Sequence, residues 1–210
     1  MRVRRRIGML ISLLAVANTH GQTDDRPRVA FASTPGGPGD IYVVNLDNGE
    51  TDPLTDHPRD DWSPSWSPDG RHVAFISSRD GDYYNHMAST DGGDPRRLAA
   101  AGVWAIDPAW GPDGKRVAYS QDGDIYTVEL ATERVARVTN DDADNRAPAW
   151  SPDGSEIAYA ARARGPKWED VFLVASTGGP TRNLTNSIWS DRDPTWSPHG
   201  TQLAFSSGGS

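Results

Sequence analysis

The sequence predicts an all-β fold, a β-propeller of four-stranded antiparallel blades, from three observations: a phrase repeated four times, a strand signal behind each copy, and strands that are apolar at neighbouring positions. The phrase reads Pro64-x-Trp66-Ser-Pro-Asp-Gly70, Pro108-x-Trp110-Gly-Pro-Asp-Gly114, Pro148-x-Trp150-Ser-Pro-Asp-Gly154 and Pro194-x-Trp196-Ser-Pro-His-Gly200. Its tryptophans lie 44, 40 and 46 residues apart, a period that marks one supersecondary unit stacked repeatedly.

Within a unit, Trp opens the pattern on a first strand. Ser-Pro-Asp-Gly then combines a preset φ at Pro, an Asp able to bond its own backbone and a Gly free to take positive φ, which predicts a hairpin turn. A second strand follows at Val73-Ala-Phe75, Val117-Ala-Tyr119, Ile157-Ala-Tyr159 and Leu203-Ala-Phe205. The third runs from Asp40-Ile-Tyr42-Val-Val44, Asp82-Tyr-Tyr84, Asp124-Ile-Tyr126-Thr-Val128 and Asp170-Val-Phe172-Leu-Val174, with turns at Asp47-Asn-Gly49, Asp91-Gly-Gly93 and Thr177-Gly-Gly179. A poorer fourth strand lies around Leu54, Leu98, Val138 and Leu184.

Apolar neighbours in the second and third strands require cover on both faces of the sheet, hence a sheet on each side. Proline two residues before each Trp suits an innermost strand with one edge toward a channel, where its missing N–H costs no ladder bond. Radial packing of small sheets follows. The repeated Trp66, Trp110, Trp150 and Trp196 are expected to pack between blades, and Gly70, Gly114, Gly154 and Gly200 to shape the turns. Asp69, Asp113 and Asp153 read as turn formers, a role that His199 takes in the last copy.

Trp-Ser-Pro-Asp-Gly followed by Val-Ala-Phe, Asp-Ile-Tyr, Asp-Gly-Gly and Leu-Thr resembles the WD40-like (PD40) repeat of TolB-like β-propellers, over residues 28 to 207. The resemblance implies a six-bladed ring preceded by an α/β domain. Four phrases and the partial units at either end account for four to five blades and 17 strands, so the expectation is either a partial family member or a short form, with open edges available for self-association. The resemblance also implies a periplasmic binding role in the cell envelope, with a peptidoglycan-associated lipoprotein as protein partner.

Arg2, Arg4, Arg5 and Arg6 precede an apolar stretch from Ile7 to Ala17 that ends in Ala15-Val-Ala17. A basic start, a short apolar core and an A-x-A site predict a signal peptide over 1–17, cleaved after Ala17 or alternatively Gly21, and hence a periplasmic or secreted product. The core is shorter than the roughly 20 residues that span a bilayer, so no stable membrane insertion is expected. A flexible segment over 18–27 and the propeller over 28–210 complete the domain reading. Cysteine is absent, so neither a disulfide framework nor a lipid-anchor cysteine is encoded. Without the four signal arginines, 17 Lys and Arg face 29 Asp and Glu, a charge of −12. That balance argues against nucleic acid. Arg162, Arg164 and Lys167 read as a solvated basic loop.

No motif for catalysis is present: no Gly-x-Ser-x-Gly elbow, no His-Glu-x-x-His pair and no phosphate-cradling glycine loop before a helix. His57, His72, His86 and His199 are scattered. The acidic stretches Asp80-Gly-Asp82, Asp122-Gly-Asp124 and Asp141-Asp-Ala-Asp144 lack the spacing of a calcium loop; no metal or other cofactor is expected.

The segments entering each innermost strand do not merely repeat. Asp60-Asp61-Trp62, Trp104-Ala-Ile-Asp107, Asp141 to Asn145 and Trp189-Ser-Asp-Arg-Asp193 would gather at one mouth of the channel. Asp61, Trp62, Trp104, Asp107, Trp189 and Asp191 are the candidate partner-binding residues, because exposed aromatics anchor partners. The leading expectation is a non-catalytic exported binding protein. The alternative is a propeller associated with a peptidase or a polysaccharide-degrading enzyme.

Overall fold

A computed structural model of the chain describes residues 12–17, 27–34, 36–98, 104–163 and 168–208. The arginines at 2, 4, 5 and 6, most of the segment 18–27, and Arg164 and Lys167 of the predicted basic loop lie outside them.

The described residues form four four-stranded antiparallel sheets and a two-stranded fifth, each a meander in chain order. The first blade contains β1 (Ser12–Ala17), β2 (Arg28–Ser33), β3 (Asp40–Asn45) and β4 (Thr51–Pro53). The second contains β5 (Asp61–Trp66), β6 (His72–Ser77), β7 (Tyr84–Ser89) and β8 (Arg96–Arg97). The third is β9 (Ile106–Trp110), β10 (Arg116–Gln121), β11 (Asp124–Glu129) and β12 (Arg134–Arg137). The fourth is β13 (Asp144–Trp150), β14 (Glu156–Arg162), β15 (Asp170–Ala175) and β16 (Arg182–Asn183), and the fifth is β17 (Asp191–Trp196) with β18 (Leu203–Ser207).

The registers match the sequence reading: Trp66 faces Val73, Trp110 faces Val117, Trp150 faces Ile157 and Trp196 faces Leu203. Between them the turn closes by a bond from the Gly N–H to the carbonyl three residues back, at Ser67, Gly111, Ser151 and Ser197. Gly70, Gly114, Gly154 and Gly200 all have φ between 62° and 72°, the left-handed region where a Cβ is penalised. The turns also nest, since a Cβ on Gly154 would stand 3.2 Å from Pro112 and one on Gly200 would stand 3.4 Å from Pro152.

Each blade's innermost strand packs on the sheet before it: β5 on β2, β9 on β6, β13 on β10 and β17 on β14. The core therefore lies between blades. Trp66 joins Ala30, Ile41, Val73 and Phe75 in one cluster, and Trp150 joins Ile125, Ile157 and Tyr159 in another. A cross-strand aromatic pair recurs on the second and third strands, with centroids 5.8 to 6.1 Å apart: Phe31–Tyr42, Phe75–His86, Tyr119–Tyr126 and Tyr159–Phe172. In the fifth blade the matching Phe205 is 43% exposed, where Phe75 is fully buried.

Three differences from the sequence reading have physical causes. Ser12–Ala17, expected in a signal peptide, is paired along β2 as the first blade's innermost strand, which adds an eighteenth strand to the 17 expected. The second blade's third strand starts at Tyr84 instead of Asp82, because Ser77 pairs with Tyr84 where Ser33 pairs with Asp40. Leu54, Leu98, Val138 and Leu184 sit one residue beyond their short fourth strands, with N–H groups still bonded to the third strand at Ile41, Asn85, Ile125 and Val171.

Candidate functional site

The innermost strands β5, β9, β13 and β17 each kink at the residue before their proline. Ser63, Asp107, Ala147 and Asp193 have φ of 52°, 54°, 50° and 50°, and the pairing register shifts at this position in all four strands. Proline leaves no N–H for a regular ladder, and a bulge absorbs the misfit while turning the preceding segment toward the rim. The sequence signal for this kink is the repeated Pro, although the left-handed residue ahead of it varies among Ser, Asp and Ala.

Two of the six candidate residues meet directly through a third that the sequence reading did not include. Trp62 packs edge to face on Tyr83, with centroids 5.1 Å apart, and Tyr83 packs edge to face on Trp104 at 4.7 Å. Trp62 is half-buried and Trp104 is 53% exposed. Trp104 has a φ of 66° and donates its N–H to the Tyr83 carbonyl at 3.1 Å. Trp189 belongs to a separate group across the fourth and fifth blades, 6.3 Å from Trp168. Both of those rings are exposed.

The carboxylates divide differently. Asp61 and Asp191, expected at the rim, are buried and unavailable to a partner. Asp61 Oδ2 accepts from Arg79 Nη2 at 2.8 Å, and the N–H groups of Asp61 and Asp191 bond the Gly39 and Glu169 carbonyls. They fasten the entry of each innermost strand, as Asn145 does in the fourth blade through the Gly123 carbonyl. Asp107 stays near the channel mouth, accepting from the Ala147 N–H at 3.3 Å and the Ser120 hydroxyl at 3.4 Å. Burial pushes its carboxyl above the ordinary range, and the charge of Asp193 adds to that effect.

Most other acidic residues have structural partners. Asp40, Asp124 and Asp170 each accept from a threonine hydroxyl, on Thr55, Thr139 and Thr185, and the same hydroxyls accept the N–H groups of Ile41, Ile125 and Val171. This clamp explains why Asp-Ile-Tyr and Leu-Thr recur together. Asp80 lies 3.1 Å from His86 Nε2, and Asp141 accepts from the Asn145 side chain. Among the described residues, no three His, Asp or Glu side chains converge as a metal-holding group, and no helix is long and apolar enough to cross a membrane.

Sheets stacked through their tryptophans, with the kinked innermost strands gathered on one side, define a β-propeller. The chain belongs to the PD40 family of TolB beta propeller domains, whose model matches residues 21–123 and 82–210. The putative TolB from Agrobacterium tumefaciens has a similar fold, with a TM-score of 0.79 at 24% identity over 93% of this chain and 70% of that one. TolB from Acinetobacter baumannii superposes with a TM-score of 0.74 at 24% identity, over 91% of this chain and 48% of that one. A curated relative, the uncharacterized peptidase YuxL of Bacillus subtilis (strain 168), is 41% identical over 59 residues, which are 28% of this chain and 9% of the relative.

Proposed function

We propose that this chain is a non-catalytic, exported binding module that holds a protein partner at the rim of its propeller. The observation that carries this reading is the Trp62–Tyr83–Trp104 ridge, in which two large rings brace a third that is 53% exposed. A braced aromatic gives up little conformational freedom on contact and offers the kind of anchor on which interface energy concentrates. The family supports a cell-envelope setting, with a peptidoglycan-associated lipoprotein as the partner to try first.

The test is capture of such a lipoprotein by the purified chain and by a Trp62→Ala/Trp104→Ala/Trp189→Ala variant. Capture lost by a variant with an unchanged thermal transition supports the reading. Equal capture by both proteins would sink it.

The stretch shared with YuxL supports a second reading, a propeller that serves a peptidase. It predicts that unfolded peptides compete for the rim as well as a folded partner does.

A further inference from the structure

Around the rim, the position occupied by Trp62 and Ile106 in the second and third blades carries Arg146 and Arg192 in the fourth and fifth. These two arginines and Arg162, at the end of β14, line a cleft of about 480 Å³ whose floor includes Asp107. Asp144 stands between two of them, with Oδ1 3.0 Å from Arg146 Nε and Oδ2 3.2 Å from Arg162 Nη2. Glu169 holds Arg192 through its Nε. The three guanidinium-bearing side chains remain 54%, 51% and 56% exposed.

This arrangement fixes the arginines without using up their donors. Each guanidinium has five N–H groups, and the bonds to Asp144 and Glu169 engage one nitrogen of each. The cleft lining therefore carries three guanidinium groups and four carboxylates, of which Asp144 and Glu169 orient the arginines while their remaining N–H donors face the opening. Asp107 lies deeper, bonded to the Ala147 N–H and the Ser120 hydroxyl, and Asp193 accepts from the Ser206 hydroxyl at 3.3 Å.

We propose that this cleft docks a carboxylate side chain from an extended segment of a protein partner, with Arg146, Arg162 and Arg192 as donors and the Trp168–Trp189 pair as apolar neighbour. This rests on the protein-partner reading above and assigns the chemistry of one contact. Guanidinium forks match carboxylates geometrically. The chain as a whole carries −8, so a polyanion is repelled at long range, whereas a single carboxylate among apolar residues meets the local cations at contact. A pyranose ring requires an open aromatic face. Along this rim Tyr83 meets its neighbours edge to face at 72° and 69°, and Trp168 and Trp189 are inclined to each other by 52°, so among the described residues none of these pairs forms a flat shared platform. Those geometries favour a peptide over an acidic sugar.

The probe is the blocked peptide Gly-Leu-Glu-Leu-Gly, titrated into the full chain while the arginine Nε–Hε resonances are followed by NMR. Gly-Leu-Gln-Leu-Gly and digalacturonate serve as comparisons. The expected result is saturable shifts at Arg146 and Arg192, with the glutamate peptide bound at least tenfold more tightly than either comparison. Arg146→Gln/Arg192→Gln should lose about tenfold in affinity. Arg162→Gln, a single change at an exposed side chain, provides the same reading at smaller amplitude should the double variant melt early.

Equal binding of the glutamine peptide, tighter binding of digalacturonate, or unchanged affinity in a folded variant would overturn the proposal. If lipoprotein capture depends on the tryptophans while the glutamate peptide fails to bind, the cleft assignment alone falls. If the peptide binds and capture fails, the protein-partner reading falls instead.

Discussion

The guanidinium carbon of Arg116 lies 4.6 Å from the centroid of the Trp150 ring, and the same relation links neighbouring blades elsewhere. Arg28 stands 5.3 Å over Trp66, and the His72 ring stacks on Trp110 at 6.2 Å. In each case the first residue of a blade's second strand covers the tryptophan of the next blade. At Trp196 the corresponding residue is Glu156, which offers no cation. The indoles add a directed bond, Trp150 Nε1 to the Ala109 carbonyl and Trp196 Nε1 to the Ala149 carbonyl, both 3.1 Å. Trp150→Ala is expected to destabilise the chain by ~3–5 kcal/mol in urea unfolding, and Glu156→Arg to stabilise it by about 0.5–1 kcal/mol through the missing cation–π contact. A neutral Glu156→Arg effect would show that the stacking is a by-product of packing.

The clamp between Asp124 and Thr139 gives a second prediction. The Thr139 hydroxyl donates to Asp124 Oδ1 at 2.9 Å while accepting from the Ile125 N–H at 2.9 Å, and the residue is buried. Thr139→Val keeps the shape, leaves the buried Ile125 N–H without its acceptor and removes one of the bonds to Asp124, which retains Arg137, a loss of roughly 1–3 kcal/mol. The counterpart Thr185→Val should cost less because Thr185 is less buried. Equal losses, measured by denaturant titration of both variants, would mean burial does not set the clamp's value.

The second blade departs from this pattern, and the departure creates a pH dependence. Tyr84 replaces the clamp aspartate and stacks under Arg97, whose guanidinium lies 3.3 Å from the ring centroid. His86 takes the place that Tyr42, Tyr126 and Phe172 hold in the other aromatic pairs. Its ring is buried, with Nδ1 3.2 Å from the Tyr84 carbonyl and Nε2 3.1 Å from Asp80. Burial lowers its pKa below the usual 6.5, helped by the Arg79 charge and opposed by the Tyr84 carbonyl and Asp80. The unfolded chain then binds the proton more readily, so the stability from neutral His86 is complete above pH 6.5 and falls as the pH drops toward the folded value. His86→Phe should flatten the melting temperature between pH 7 and 5. A native profile that instead rises on acidification would show that the carbonyl and Asp80 outweigh burial.

An acid limb at lower pH comes from the turns. Asp153 is held at about 2, first by the Ser151 hydroxyl and then by the Ser155 N–H and hydroxyl. A depressed carboxylate stabilises the fold above its unfolded value, near 3.8, and loses that contribution as the pH falls through about 2. Asp153→Asn is expected to reduce the slope of stability against pH between 4 and 2, followed by circular dichroism. An unchanged slope would assign acid sensitivity to other carboxylates.

The fold was legible because its determinants are local and repeated. Trp, the Ser-Pro-Asp-Gly turn and the Val-Ala-Phe run must be neighbours in sequence to pair as they do. The site was legible in part. Trp62, Trp104 and Trp189 stood out as tryptophans beyond the repeat, but Tyr83 and Trp168 lie in other loops of the blades and join them only across space. Asp61 and Asp191 looked like rim residues because they adjoin Trp62 and Trp189 or follow them closely. Strand pleating sends neighbouring side chains to opposite faces, and theirs are buried. The arginine half of the rim had one sequence signal, the change from Trp62 and Ile106 to Arg146 and Arg192 at a fixed distance before the repeated Trp. Asp144 stood in the sequence only as part of an acidic stretch and rim segment with no sign of its arginine partners, and Glu169 is too common in type to be singled out.

The same apolar run supports two fates for the N-terminus, and its removal has a measurable consequence. Ser12–Ala17 pairs with Arg28–Ser33 through residues such as Ala15 opposite Ala30. Cleavage after Ala17 would strip that partner and leave β2, a strand buried over most of its length, as a sheet edge. Unpaired edges recruit other chains. The chain from residue 18 onward is therefore expected to self-associate more than the chain retaining Ser12–Ala17, read as a higher weight-average mass in light scattering after size exclusion. Phe205→Ser, at the exposed face of the fifth blade, should lower the mass of both forms by a similar proportion if that face also contributes. Identical masses with and without residues 1–17 would mean that β1 does not protect the edge.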